Sequence, residues 1–207
     1  MKQTIRQKIS AWAAVLSLVG VVIAPAAASA VSGTDSSTVS VTVGDTISIS
    51  SADTVSFAIA PTGGGALTND SDVVTVSTNK VTGYALTLAD TDATTTLVSG
   101  ANTFTASAGT KTVPVALVNG TWGYALATAT TGIGTNGFDA SYAIETNSTT
   151  STSKWSGVPA TGSPIMIKTT ATTATNDTTT VWYAAKANTS QPTGTYTDSV
   201  TYTATTN

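Results

Sequence analysis

The sequence predicts an all-β fold, an antiparallel immunoglobulin-like or Greek-key β-sandwich of roughly ten strands. Three observations carry this. Apolar residues alternate with Thr, Ser or other small polar residues along most of the chain, which is the period of a strand with one face buried. Clusters of Gly, Pro, Asn and Asp interrupt that alternation at intervals of roughly 8–12 residues. Thr makes up about a fifth of the chain while only 9% of residues are charged, and a β-branched residue with a hydroxyl suits the wet face of a sheet.

Residues 1–30 read as a secretory signal. Lys2, Arg6 and Lys8 form a basic head, Ala11 to Ala24 an apolar stretch, and Ala28-Ser29-Ala30 a small-x-small cleavage site. Later in the chain no apolar run approaches the ~20 residues of a membrane span. Cleavage takes 30 of the 207 residues and leaves 177, enough for one domain with a core. Residues 31–38 are small and polar and read as a flexible lead, and residues 39–207 as a single sandwich domain.

Val39, Val41 and Val43 alternate with Ser and Thr, and after Gly44-Asp45 the phase resumes at Ile47 and Ile49. Val55, Phe57 and Ile59 form the next alternating run, which Pro61 to Gly65 ends. Val74 and Val76 lie in another strand. Leu97-Val98 and Phe104 mark short strands around Gly100. Val113, Val115 and Leu117 alternate, and Pro114 among them, with no amide hydrogen to donate, predicts a sheet edge. Tyr142 and Ile144 form a further strand. Asn147 to Ser163 is the longest break. Ile165 and Ile167 resume the pattern, Ala171 to Thr180 reads as a Thr/Ala loop, and Val181, Tyr183 and Ala185 share one side of a buried strand. The last strand sets Tyr196, Val200, Tyr202 and Ala204 on one face, with Asp198 as the odd member.

The chain contains Gly-Tyr-Ala-Leu twice, at Gly83–Leu86 and Gly123–Leu126, 40 residues apart and each preceded by Asn four positions earlier. Each copy reads as a strand, with Tyr84, Leu86 and Leu88 on one side, and Trp122, Tyr124 and Leu126 likewise. Two copies are too few for a solenoid.

Thr193-Gly194-Thr195-Tyr196-Thr197-Asp198-Ser199-Val200-Thr201-Tyr202-Thr203 resembles the closing strand of spore-coat-U and other pilin-like subunits. It is also similar to the end of the WxL domain of wall-bound bacterial proteins. In that layout the first aromatic-x-Leu position falls on Tyr84-Ala85-Leu86, with Tyr where the family has Trp, and the second on Tyr202-Thr203-Ala204. The resemblance implies a secreted bacterial surface protein, held by partners or by the wall.

Chemistry is constrained by what the sequence lacks. There is no His and no Cys, so Ser-His and Cys-His catalysis, disulfides and imidazole or thiolate metal centres are ruled out. Glu145 is the single Glu and the Asp residues lie mostly in expected turns. The expectation is therefore no enzyme, no catalytic residue and no cofactor. Asn69-Asp70-Ser71-Asp72 and Asp90-Thr91-Asp92 read as turns. Their paired oxygens are the chemistry of Ca²⁺, yet neither fills a complete ligand loop, so no metal ligand is assigned. Lys168, Lys186, Asn188 and Glu145 are the available parts of a Lys–Asn isopeptide bond, with exposed Lys as the plainer reading.

Loss of three basic residues with the signal takes the 8 of the chain to 5, against 11 acids, a net charge of −6. Such a balance disfavours nucleic acid and anionic membranes as partners. Candidate ligand or partner contacts are Trp155, which sits beside Gly157 and Pro159 in a polar loop, and Trp122, Tyr84 and Tyr202; for Trp155, packing over the end of the core is the plainer reading. The sequence thus predicts a structural protein of the cell surface or cell wall, acting by strand pairing with further copies or other surface proteins. The alternative is a non-catalytic wall-polymer or carbohydrate-binding module.

Overall fold

A computed structural model describes residues 32–126 and 154–207. The expected signal at 1–30, the Tyr142–Ile144 strand and Glu145 lie outside the described residues. Among those described there is no helix, and nine strands form two sheets. They are β1 (Ile47–Ser50), β2 (Ala66–Thr78), β3 (Tyr84–Asp90), β4 (Leu97–Ser99), β5 (Asn102–Ala106), β6 (Thr121–Leu126), β7 (Ile165–Thr169), β8 (Ala174–Ala187) and β9 (Val200–Thr206). One sheet has the order β1-β2-β8-β6-β5-β4 and the other β7-β3-β9. All pairs are antiparallel except the short β5–β6 pairing, Thr105 to Thr121 and Ala106 to Trp122. This is a sandwich-like, all-β architecture.

Both sheets turn an apolar face to one core. The small sheet contributes Leu86 and Leu88 from β3 and Ile167 from β7. The large sheet contributes Val74 and Val76 from β2, Trp122, Tyr124 and Leu126 from β6, and Val181 and Tyr183 from β8, all buried. The period-two phases read from the sequence hold in β3 and β8, whereas in β6 Gly123 and Ala125 are buried along with Trp122, Tyr124 and Leu126. The two Gly-Tyr-Ala-Leu copies lie in different sheets, one in the middle strand of the small sheet and one inside the large sheet. Their glycines differ. Gly83 precedes β3 at φ +80°, the left-handed region that favours a residue without Cβ. Gly123 lies within β6, where a Cβ would run into the carbonyl of Ser156. Tyr124 also forms an antiparallel bridge with Ser156, and Ala125 is buried as well as its neighbours.

Several expectations are corrected. Asn69-Asp70-Ser71-Asp72 is no turn but the centre of β2, paired with Ala184 to Val181 of β8. The Ala171–Thr180 stretch is a loop only at its start; β8 begins at Ala174, and Thr, a good strand former, supplies its first half. The Val113–Leu117 run makes only single bridges, Val113 to Thr110 and Val115 to Trp155. Pro114 removes the amide that a ladder there would use. Val55, Phe57 and Ile59 pack against the core in the expected phase, but residues 54–60 form no ladder. Tyr196 lies outside β9 and packs edge-on to Phe104, with ring centroids 4.8 Å apart.

The compact unit that holds all nine strands runs from Val43 to Asn207. Residues 32–42 belong to a separate unit, and the strand expected at Val39–Val43 does not form. Alternation alone makes no strand. The backbone needs a neighbour to take its hydrogen bonds.

Candidate interaction surface

Of the four aromatic residues singled out from the sequence, Trp155, Trp122 and Tyr84 are buried and Tyr202 is half-buried. Trp155 is completely buried, held at backbone level by paired bonds with Val115 (N–H to O 2.8 Å, and 3.1 Å in return). Burial removes the exposed ring face that sugar stacking would need. Trp122 stacks on Tyr183 at 6.4 Å between centroids and donates its indole N–H to the Thr95 carbonyl at 3.0 Å.

Tyr84 and Tyr202 serve as bolts between the sheets. From β3, the Tyr84 hydroxyl donates to Asp177 Oδ2 of β8 at 2.8 Å, and Lys168 Nζ of β7 meets Asp177 Oδ1 at 2.6 Å. Lys168 also donates to the Thr178 carbonyl at 3.0 Å, so its partner is this carboxylate rather than an isopeptide-forming Asn. From β9, the Tyr202 hydroxyl lies 2.6 Å from that of Tyr183 in β8, close to the buried Asp72 of β2. Burial first, then the neighbouring carboxylates, pushes the phenols of Tyr84 and Tyr202 well above the usual tyrosine range. They therefore stay protonated as donors. A buried polar group of this kind is tolerable only because it is partnered.

With Trp155, Trp122 and Tyr84 buried, the outward-facing candidate is an edge. Among the described residues β1 pairs only with β2, and all four of its residues are exposed, Ile47 at 37% and Ile49 at 41%. Upstream, Val39, Val41 and Val43 are 87%, 83% and 78% exposed. The start of β1 is anchored. The Thr46 amide donates to Asn79 Oδ1 at 2.7 Å, Thr78 Oγ1 donates to the Thr46 carbonyl at 2.7 Å, and Lys80 pairs with Asp45 at 2.5 Å. Native edges are commonly blunted with Lys, Pro or bulges. From Val39 to Ser50 there is no Pro and no Lys, and the one charged residue, Asp45, is already paired.

β9 likewise pairs on one side only among the described residues, with β3. A shallow groove lined by Ile49, Ser50, Asp53, Val200 and Tyr202 runs between β1 and β9. The edge of β4 is different. Val98 exchanges backbone bonds with Thr197 at 3.0 and 3.1 Å, which closes part of it.

Among the described residues no three acidic, His or Cys side chains converge as a metal centre, and no helix is long and apolar enough to cross a membrane. No family model matches the chain, and neither a curated protein nor a solved structure matches it.

Proposed function

We propose that this is a secreted bacterial cell-surface structural protein, a pilin-like or surface-layer subunit that joins further copies or other surface proteins by strand pairing. The observation that carries the reading is the unprotected β1 edge together with the exposed, strand-patterned valines before it. Pairing at such an edge satisfies a row of backbone groups and buries alternate apolar side chains together. The signal-like residues 1–30 support export. The non-sequential order β1-β2-β8-β6-β5-β4 supports the finer description as an immunoglobulin-like Greek-key sandwich. The resemblance of the closing strand to pilin-like subunits supports the same reading.

The alternative, a WxL-like wall-polymer or carbohydrate-binding module, draws less support, because the rings of Trp155, Trp122 and Tyr84 are interior. The test is light scattering with negative-stain microscopy on the purified protein from Val31 onward, over a concentration series. Ordered high-mass species that resist salt support the subunit. A monomer at every concentration that co-sediments with stripped cell walls points to the wall-binding module.

A further inference from the structure

Two carboxylates occupy positions that the strand phase reserves for apolar side chains. Asp90 continues the inward series Tyr84, Leu86, Leu88 of β3, and Asp198 continues the series Ala204, Tyr202, Val200 of β9. The register pairs Asp90 with Val200, so both carboxylates come to the same end of the β3–β9 pair and the same face. Asp90 is 1% exposed. Its Oδ1 accepts the Asp92 amide at 3.0 Å, and its Oδ2 is buried with no hydrogen-bond partner. Asp198 is arranged alike, with Oδ1 accepting the Ser199 amide at 2.8 Å and a buried Oδ2 with no partner. The two side chains lie within hydrogen-bonding reach of each other, and Asp92 adds its charge nearby.

The surrounding backbone is fastened. Asp90 N–H bonds the Pro159 carbonyl at 2.7 Å, Thr91 N–H and Oγ1 bond the Ser199 carbonyl at 3.0 and 2.8 Å, and Thr161 N–H bonds the Asp92 carbonyl at 2.9 Å. Three chain segments are thus held around two facing carboxylate oxygens. Burying two like charges together without compensation is costly, and either a shared proton or a cation relieves it.

We propose that Asp90 and Asp198 together bind a Ca²⁺ ion that clamps the end of β3 to the start of β9. The donors are all oxygen, which excludes metals that want nitrogen or sulfur. The carboxylates number two rather than three, and Ca²⁺ accepts such irregular sites by completing 6–8 ligands with carbonyls and water, whereas Mg²⁺ demands near-ideal octahedral geometry. Burial first, and then the charges of Asp90 and Asp92, raises the Asp198 carboxyl to about 6 from its usual 3.8. A metal would compete with that proton, so binding is strongest above pH 6 and weakens below it.

The test is thermal unfolding of the purified protein at pH 7.5, first in EDTA and then with CaCl₂ titrated to 5 mM, against NaCl of equal ionic strength and against MgCl₂. The expected result is a saturable rise in Tm of about 5 °C or more with Ca²⁺, and a smaller one with Mg²⁺. Asp198→Asn and Asp90→Asn keep the size and remove a charge. Each should unfold in EDTA at or above the parent's Tm, showing that it is folded, and should lose the Ca²⁺ response. A parent with no response beyond the NaCl control overturns the proposal and leaves a shared proton as the compensation. So does a Ca²⁺ response that survives in both variants, or a Mg²⁺ response equal to that of Ca²⁺.

Discussion

Replacing Trp155 with Ala tests whether this ring serves the core or a ligand. Trp155 is the largest of the fully buried side chains, and its indole N–H has no hydrogen-bond partner. Removing a buried Trp costs about 3–5 kcal/mol through lost transfer energy and the cavity left behind. For a chain of this length that lowers Tm by about 6–20 °C. Trp155→Phe keeps a ring in the site and deletes a buried donor with nothing to bond, so its cost should be near 1–2 kcal/mol, about half or less of that of Ala. The backbone bonds with Val115 survive both changes. The assay is urea unfolding followed by circular dichroism, fitted for midpoint and slope. An Ala variant within about 0.5 kcal/mol of the parent would refute the packing role, since surface substitutions fall in that range. A Phe variant as damaging as Ala would refute the reasoning about the indole N–H.

Three further outcomes follow from the same geometry. Tyr84→Phe removes the donor 2.8 Å from Asp177 but leaves Lys168 in place, so urea unfolding should show a loss of about 1–2 kcal/mol. Gly123→Ala drives a Cβ into the Ser156 carbonyl and should cost about 1–3 kcal/mol, whereas Gly64→Ala, with open space around it, should be near neutral. In EDTA, stability should fall as pH rises from about 4 to about 6. There the unfolded chain has already released the Asp198 proton, while the folded chain, with its carboxyl at about 6, still holds it.

How far the sequence reveals this molecule depends on which physical signal each segment carries. Where one face is apolar and the other polar, as in Tyr84–Leu88 or Val181–Ala185, period two gives both the strand and its buried side. Where both faces are polar, the strand is hidden. Asn69 to Asp72 and Ala174 to Thr180 look like loops because their side chains favour turns or solvent, yet β2 and β8 pair with each other across both stretches. The reverse error occurs at Val39–Val43, where the pattern is a strand's and no ladder forms. For Trp155 the sequence leaves both an exposed contact and core packing open, because its neighbours Ser156, Gly157 and Pro159 are loop residues, and the long-range bridges of Trp155 to Val115 and of Ser156 to Tyr124 bring that loop to the core. The Asp90–Asp198 pair depends on β3 lying beside β9, a long-range register that local pattern does not contain. Its one trace in the sequence is a carboxylate at an apolar-phase position in each strand.

The edge at β1 carries the account of function, and the most direct measurement is sedimentation velocity on the parent protein beside Ile49→Lys and Val41→Lys. Both positions are exposed, so a Lys at either should leave the thermal midpoint within a degree or two of the parent's. It should also act as the blunting charge that this edge lacks. The account predicts concentration-dependent high-mass species for the parent and a shift to monomer for both variants. A parent that assembles equally well with Lys at both positions would contradict pairing at this edge, and a parent monomeric throughout would contradict self-assembly.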